Sequence, residues 1–341
     1  MGALKEFCKT ELGRSKEMKR DTERIMIIDG LNMFLRNLIV NPSLSTNGDP
    51  IGGVKGFLAS VQKMIRELKP DRIIVAWDGP GGSQKRRAQN KNYKAGRKPI
   101  RFNRGVKLMS EEEEVKNKIW QQTRLLEYIN MMPIPQILLQ GIEADDVIAK
   151  ICRTMRGCQK VIVSSDKDFI QLCDEETVLY RPIQKELVTK KTVLEEHQIS
   201  PANFAMARAI AGDKSDNLAG VPGAGLKTIA KRLPFLKEEK DATFEDIFKA
   251  CEKEEKKLKF HNGILENKDL IKKNYGLMQL YTPNISPNNS AVIKEAIEEI
   301  KPDFNKTNII KMMNEDGFGV YDWGDLWRFC RKNVVDLKNK V

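Results

Sequence analysis

Arg24-Ile25-Met26-Ile27-Ile28-Asp29 is the stretch that decides the fold. Four large apolar residues, three of them β-branched, run without a break and stop at a carboxylate, which is the pattern of a short strand. Three further runs repeat it: Arg72-Ile73-Ile74-Val75-Ala76-Trp77, Gln136-Ile137-Leu138-Leu139 and Lys160-Val161-Ile162-Val163. Between them the apolar residues recur at helical spacing over about 53–68, 111–130 and 143–156. Strands alternating with helices of that length predict an α/β fold, a mostly parallel central sheet with helices on both faces. From about residue 186 the pattern reads as helical, so a helical C-terminal region is expected.

Ligands of open α/β sheets collect beyond the carboxyl ends of the strands, and here those ends are acidic. The first run ends in Asp29, the second in Asp78, and the fourth in Ser164-Ser165-Asp166-Lys167-Asp168. The third is followed by Gly141-Ile142-Glu143-Ala144-Asp145-Asp146, at a helix start, and a further cluster opens the second half, Gly212-Asp213-Lys214-Ser215-Asp216-Asn217. One such residue is an ordinary turn or cap. Nine of them on one rim would repel by roughly 4 kcal/mol per close pair at an effective dielectric near 20, which calls for counter-ions. Oxygen donors without Cys or His select hard divalent cations, Mg²⁺ or Mn²⁺. Two ions about 4 Å apart can activate a water and stabilise the departing oxygen of a phosphodiester.

The chain has 341 residues, with 59 Lys and Arg against 47 Asp and Glu, a formal charge of +12. That length with 40% apolar residues can fill one large or two ordinary domains, which excludes a disordered chain or a disulfide miniature. The positive excess predicts a polyanionic partner. No apolar stretch approaches the roughly 18 residues that span a bilayer. The first 24 residues alternate charges without the apolar core of a secretory signal. Glu6 stands where myristoylation requires Ser or Thr. A cytoplasmic monomer is expected, with nucleic acid as partner and no membrane. Six cysteines form no CxxC pair, and the two histidines, His197 and His261, lie far apart. A zinc cluster or a histidine-based triad is therefore disfavoured, the cysteines are expected as free buried thiols, and the chemistry falls to carboxylates and lysines.

Between Asp78 and Glu111, residues 79–110 hold ten basic side chains and no acid. Following directly from an acidic strand end, they stand where a scissile phosphate would arrive, and the interleaved Tyr93 and Phe102 offer faces for unpaired bases. Farther on, Gly220-Val221-Pro222-Gly223-Ala224-Gly225-Leu226-Lys227-Thr228-Ile229-Ala230-Lys231-Arg232 matches a helix-hairpin-helix pattern. Gly220, Gly223 and Gly225 would let the backbone approach a phosphate, with Lys227, Thr228 and Lys231 on the helix that follows. Such contacts position a duplex without reading its sequence.

As a set, Ile28-Asp29-Gly30, Trp77-Asp78-Gly79, Glu143-Ala144-Asp145-Asp146, Ser165-Asp166-Lys167-Asp168 and Gly212-Asp213-Lys214-Ser215-Asp216-Asn217, followed by the hairpin, resemble the flap endonuclease and 5′ to 3′ exonuclease family over about residues 24–235. Arg86-Arg87 followed by Tyr93-Lys94-Ala95-Gly96-Arg97 looks most like the bacteriophage members, including phage-type ribonuclease H. The resemblance implies an N-terminal extension (1–23), a PIN-like nuclease core (24–185) with a basic arch insertion at about 79–118, and a helical region (186–341) with its hairpin motif at about 212–235. It implies two or more Mg²⁺ ions, with Mn²⁺ able to substitute. Asp29, Asp78, Glu143 and Asp145 would surround the first ion and Asp166, Asp168 and Asp216 the second, with Asp146 and Asp213 in support. Lys94 matches the family's catalytic lysine at the base of the arch, Arg97 would assist it, Arg86 and Arg87 would grip the strand, and Tyr93 would stack a base.

The implied activity is structure-specific phosphodiester hydrolysis on 5′ flaps, nicked or 5′-recessed duplex DNA and RNA primers in RNA–DNA hybrids. The setting it implies is primer removal in a replicating phage, with a replication single-strand binding protein as a partner. No polymerase domain fits in the remainder, so a free-standing nuclease is expected. Two rivals stand beside it. A PIN-class endoribonuclease would lack the hairpin and the long basic insertion. A noncatalytic junction-binding protein would gain nothing from an acidic rim.

Overall fold

The structure, a computed structural model, describes residues 22–91, 93–94, 109–255, 258–283, 285–298 and 303–338. All four expected strands form: β1 (Arg24–Asp29), β2 (Arg72–Trp77), β3 (Gln136–Leu138) and β4 (Gln159–Val163). Two more follow that the sequence pattern does not single out, β5 (Thr177–Arg181) and β6 (Glu186–Val188). The six build one sheet in the order β3-β2-β1-β4-β5-β6. Neighbours are parallel except β5 and β6, which pair antiparallel with Tyr180 opposite Leu187. β1 lies in the interior of the sheet, Ile27 in register with Ile74 on one side and Ile162 on the other. Chain order reverses there, outward to β2 and β3 and then back across to β4, which opens a crevice at the carboxyl ends.

Every residue of β1 is buried, because side chains alternate between two covered faces. Among the described residues the first half contributes α1 (Gly30–Val40), α2 (Gly52–Leu68), α3 (Gln84–Gln89), α4 (Glu111–Asn130) and α5 (Ala144–Thr154). Ile25 and Ile27, with Ile74, Ala76 and Ile162, pack against Val147, Ile148 and Ile151 of α5. Met26 and Ile28, with Val75, Trp77 and Val163, pack against Phe34 of α1, Phe57 of α2 and Leu125 of α4. Helix α1 leaves β1 without a linker, and a Cβ on Gly30 would lie 2.6 Å from the Trp77 ring. Only glycine allows that exit. Helix α4 starts on a capping box between Ser110 and Glu113, and Glu111 to Glu114 favour its N-terminal dipole.

The second half adds α6 (Lys190–His197), α7 (Pro201–Ala211), α8 (Leu226–Arg232), α9 (Phe244–Lys253), α10 (Lys259–Glu266), α11 (Lys268–Met278), α12 (Pro287–Glu298), α13 (Lys306–Glu315) and α14 (Gly324–Lys338). Phe204, Ala207 and Ile210 of α7 extend the first core. The end of the chain returns to the second: Ile309, Trp323, Leu326 and Trp327 bury themselves beside the helices that cover the sheet. Polar ties hold that return. The buried Asp316 accepts from the Tyr128 hydroxyl at 2.5 Å and from Arg124 Nη2 at 2.9 Å. Gln62 Oε1 accepts from the Leu326 amide at 3.1 Å. The five described cysteines are free and buried. Among the described residues no helix is long and apolar enough to cross a membrane.

Candidate active site

Five segments bring the nine acids to the carboxyl edge of the sheet. Asp29 ends β1 and caps α1, its Oδ1 accepting from the Asn32 amide at 3.2 Å and its Oδ2 from the Ser164 hydroxyl at 2.8 Å. Only 6% of it is exposed. Burial, then Asp145 and Asp78, push its carboxyl well above the usual carboxylate range. Asp78 follows β2 and caps the other helix of the rim, accepting from the Ala144 amide at 2.8 Å. Although solvent-facing, it is crowded by the concave rim, and desolvation followed by Asp145 raises it as well.

Helix α5 therefore starts inside the site. Its first turn carries Asp145 and Asp146, Glu143 stands at its N-cap, and the positive end of its dipole faces the cluster. Asp166 begins a 3₁₀ turn (Lys167–Leu172) after β4 and accepts from the Asp168 amide at 2.9 Å. Burial and Asp145 raise Asp166, and burial and Asp166 raise Asp168. From the α7–α8 connection, Asp213 and Asp216 come within 4.8 Å of Asp168, ligand atom to ligand atom, a group that can hold a divalent cation. Asp213 behaves oppositely to its neighbours. Burial alone would raise it, but the Ser215 hydroxyl, the Arg208 guanidinium and backbone amides hold it below the usual range.

Three cations meet these acids. Lys94 Nζ lies 2.8 Å from Glu143 Oε1, and its backbone, at φ 56°, donates from the amide to Asp216 O at 3.0 Å. Arg86 forms ion pairs with Glu143 and, at 3.3 Å, with Asp146. Arg208 of α7 pairs with Asp168 at 2.9 Å and with Asp213. Sequence reasoning missed Arg208. The available signal was a basic residue on the last turn of a helix that leads into an acidic loop.

Two expectations change with the geometry. The sequence pattern assigns Tyr93 to base stacking, but its ring is 3% exposed and packs with Leu218, Leu277 and Met278. An enclosed ring presents no face to a base in this conformation. The same pattern assigns Arg86 to gripping the strand, yet its guanidinium is turned inward onto Glu143 and Asp146, while Arg87 beside it is exposed. Arg97 and Phe102 lie outside the described residues.

The hairpin joins α7 to α8 over residues 212–225. Gly220 packs against α7 rather than facing outward, since a Cβ there would lie 2.0 Å from Ala211 O. Gly223, at φ +77°, and Gly225 face open space, and Lys227 and Lys231 are exposed beyond them. Thr228 lines a shallow depression with Gly225, Leu226, Lys227, Glu196 and His197.

The 5′-3′ exonuclease N-terminal resolvase-like domain matches residues 24–198, just over half of the chain. A 5′-3′ exonuclease of Aquifex aeolicus is 29% identical over 285 residues, covering 83% of this chain and 89% of that protein. The thermostable DNA polymerase I of Thermus aquaticus is 31% identical over 215 residues, 62% of this chain but only 24% of the polymerase. Among solved structures, the bacteriophage T5 5′-exonuclease with zinc bound superposes with a TM-score of 0.60 at 19% identity, covering 86% of this chain and 98% of that one. The bacteriophage T5 flap endonuclease in a pseudo-enzyme-product complex with DNA and metal ions gives 0.59 at 18% identity, covering 87% and 100%. The carboxylate rim is fit for divalent cations, and the domain match across β1 to α6 leads to one assignment: the chain belongs to the 5′-3′ exonuclease family.

Proposed function

We propose that this chain hydrolyses phosphodiesters near 5′ ends and at branched junctions of DNA, and in RNA primers of RNA–DNA hybrids, with two Mg²⁺ ions that Mn²⁺ can replace. The observation that carries the reading is the convergence of nine carboxylates from five segments, with Lys94 placed on one of them. The donor set fits hard divalent ions: it is all oxygen, and burial with mutual repulsion raises Asp29, Asp78, Asp166 and Asp168. Asp29, Asp78, Glu143 and Asp145 would hold one ion; Asp166, Asp168 and Asp216 would hold the other, with Asp146 and Asp213 supporting them. When bound, such ions supply an activated water and neutralise the departing oxygen.

The remaining steps belong to side chains of this protein. Lys94, exchanging Glu143 for a phosphate oxygen, stabilises charge that builds during attack, with Arg97 assisting. Gly223, Gly225, Lys227, Thr228 and Lys231 take the duplex backbone, and Arg87 guides the 5′ strand. The T5 flap endonuclease, whose complex holds DNA together with metal ions, supports the branched substrate. The setting that suits this reading is primer removal in the host cytoplasm during phage replication, by a monomer working beside a single-strand binding protein. A PIN-like architecture of the core is part of the same reading.

The test is incubation of 5′-labelled flap DNA and an RNA–DNA hybrid with wild type and Asp166→Ala in Mg²⁺. Wild type is expected to cut both and Asp166→Ala neither. Binding without cutting under every divalent ion would sink the proposal, and cleavage confined to single-stranded RNA would favour the endoribonuclease rival.

A further inference from the structure

Helix α11 touches both regions that the proposed function needs side by side, the metal rim and the hairpin. Against its C-terminal end lies Gln171, from the 3₁₀ turn that also carries Asp168, and only 5% of it is exposed. Its Nε2 donates to Asp168 O at 2.8 Å and to Met278 O at 3.0 Å, and its Oε1 accepts from the Leu280 amide at 2.8 Å. One side-chain amide thus clasps the end of α11 to the turn. A helical turn earlier, Asn274 of α11 is 1% exposed and donates through Nδ2 to Ala209 O at 3.0 Å and to Ala219 O at 2.8 Å. Ala209 belongs to the last turn of α7, where carbonyls have no donor within the helix, and Ala219 stands in the hairpin beside Gly220. Leu277 and Met278 pack with Leu218 of the hairpin and with Tyr93. From Asn274 to Met278 the helix advances only about 6 Å, so a short rigid bar joins the hairpin to the turn.

We propose that Asn274 and Gln171 are positioning residues that make α11 a spacer between the hairpin and the metal rim, and that this spacer selects which phosphodiester is cut. The inference rests on the nuclease reading given above, in which the hairpin holds the duplex and the rim takes the scissile phosphate. Successive phosphates of one strand are about 3.4 Å apart along the duplex axis. A hairpin free to shift by that distance would deliver the neighbouring phosphate to the rim. The apolar contacts of Leu218, Leu277 and Met278 are non-directional and resist such a shift weakly. Hydrogen bonds to backbone carbonyls fix both distance and angle.

The test maps the products of 5′-labelled flap DNA in Mg²⁺ to the nucleotide for wild type, Asn274→Ala, Asn274→Leu and Gln171→Leu, beside a Mn²⁺ titration and a thermal melt of each full chain. Wild type is expected to cut one phosphodiester predominantly. Each Asn274 variant should lower the ratio of that product to its immediate neighbours about five- to tenfold, the scale of one lost hydrogen bond. Its Mn²⁺ affinity should stay unchanged, because Asn274 binds carbonyls rather than carboxylates. Asn274→Leu keeps the volume and removes the donor, which separates the hydrogen bonds from packing. Gln171→Leu releases the other end of the spacer and should broaden the cut in the same way, so the matter is decided even if neither Asn274 variant folds. A single unshifted cut in a folded variant, at whatever rate, would overturn the proposal, since the amides would then only support the fold. Broadening that accompanies weaker Mn²⁺ binding in the Asn274 variants would also overturn it, because the rim rather than the spacing would have been disturbed. Failure of wild type to cut at any position would overturn the nuclease reading itself, a result distinct from an unshifted cut.

Discussion

The ammonium of Lys94 donates to Glu143 Oε1 at 2.8 Å. The Lys94 amide simultaneously donates to Asp216 O at 3.0 Å, so one residue within the basic insertion touches both the α5 side and the hairpin side of the acidic rim. In the proposed mechanism this holds the cation beside the acidic rim before a phosphate arrives.

Lys94→Ala should therefore bind flap DNA nearly as well as wild type and cut it about 10²- to 10³-fold more slowly, the usual loss when one charge-stabilising donor is removed. Single-turnover cleavage beside a binding titration in Ca²⁺ measures both. A rate within a few-fold of wild type would show that the contact with Glu143 is only structural.

The acidic rim sets a pH dependence in the metal-free protein. Burial and neighbouring carboxylates raise Asp29, Asp78, Asp166 and Asp168 above their ordinary values. A carboxyl raised on folding binds more proton in the folded state, so this group's contribution to stability falls as pH climbs from the unfolded value near 4 through the raised folded values. In EDTA the melting temperature should fall between about pH 5 and about pH 8, and added Mg²⁺ should raise it more at the higher pH. A metal effect that is largest at the acid end would contradict this assignment.

Neutralising one member of the rim should separate stability from activity. Asp145 raises Asp29, Asp78 and Asp166. Asp145→Asn is expected to stabilise the metal-free chain by about 1 kcal/mol, the worth of roughly one pKa unit, and to lose nuclease activity. Urea unfolding in EDTA beside the flap assay checks both, and a destabilised variant would mean that Asp145 is held by contacts outweighing the repulsion.

Arg86 and Arg87 are adjacent yet should respond differently. Arg86→Ala removes a guanidinium paired with the buried Glu143 and Asp146, while Lys94 still meets Glu143, and is expected to cost about 1–3 kcal/mol. Arg87→Ala removes an exposed side chain and should stay within about 0.5 kcal/mol of wild type while weakening DNA binding. Equal stability of the two variants would return Arg86 to the strand-gripping role.

Trp327 tests the returning C-terminus. Trp327→Ala should cost about 3–5 kcal/mol in urea unfolding, as for a large aromatic removed from a core. A loss below about 1 kcal/mol would mean that this helix covers the sheet without supporting it.

The strands around β1 and the acids at their ends were legible because each is a local pattern. Ile25 to Ile28 stop at Asp29, Ile73 to Trp77 stop at Asp78, and Glu143 to Asp146 open α5. Strands β5 and β6 escaped notice because Thr177 to Arg181 sits between Asp174-Glu175-Glu176 and Pro182, and Glu186 to Val188 offers only two apolar residues, so both read as a polar connection. Tyr93 and Arg86 were placed outward because a basic stretch carries no mark of which side chains turn inward.

Sequence alone determined the sheet-and-helix alternation, the identity of the carboxylates, and a basic excess suited to a polyanion. Those properties depend on residues close together in the chain, where backbone preference and side-chain chemistry act locally. Only the tertiary structure decided which charges answer one another. Lys94 meets Glu143, Arg208 joins Asp168 to Asp213, and Asp78 caps a helix that begins with Ala144. The first pair is 49 residues apart in sequence, Arg208 and Asp168 40, and Asp78 and Ala144 66. Such partners are set by where the strands and helices deliver them, and no local pattern encodes that distance.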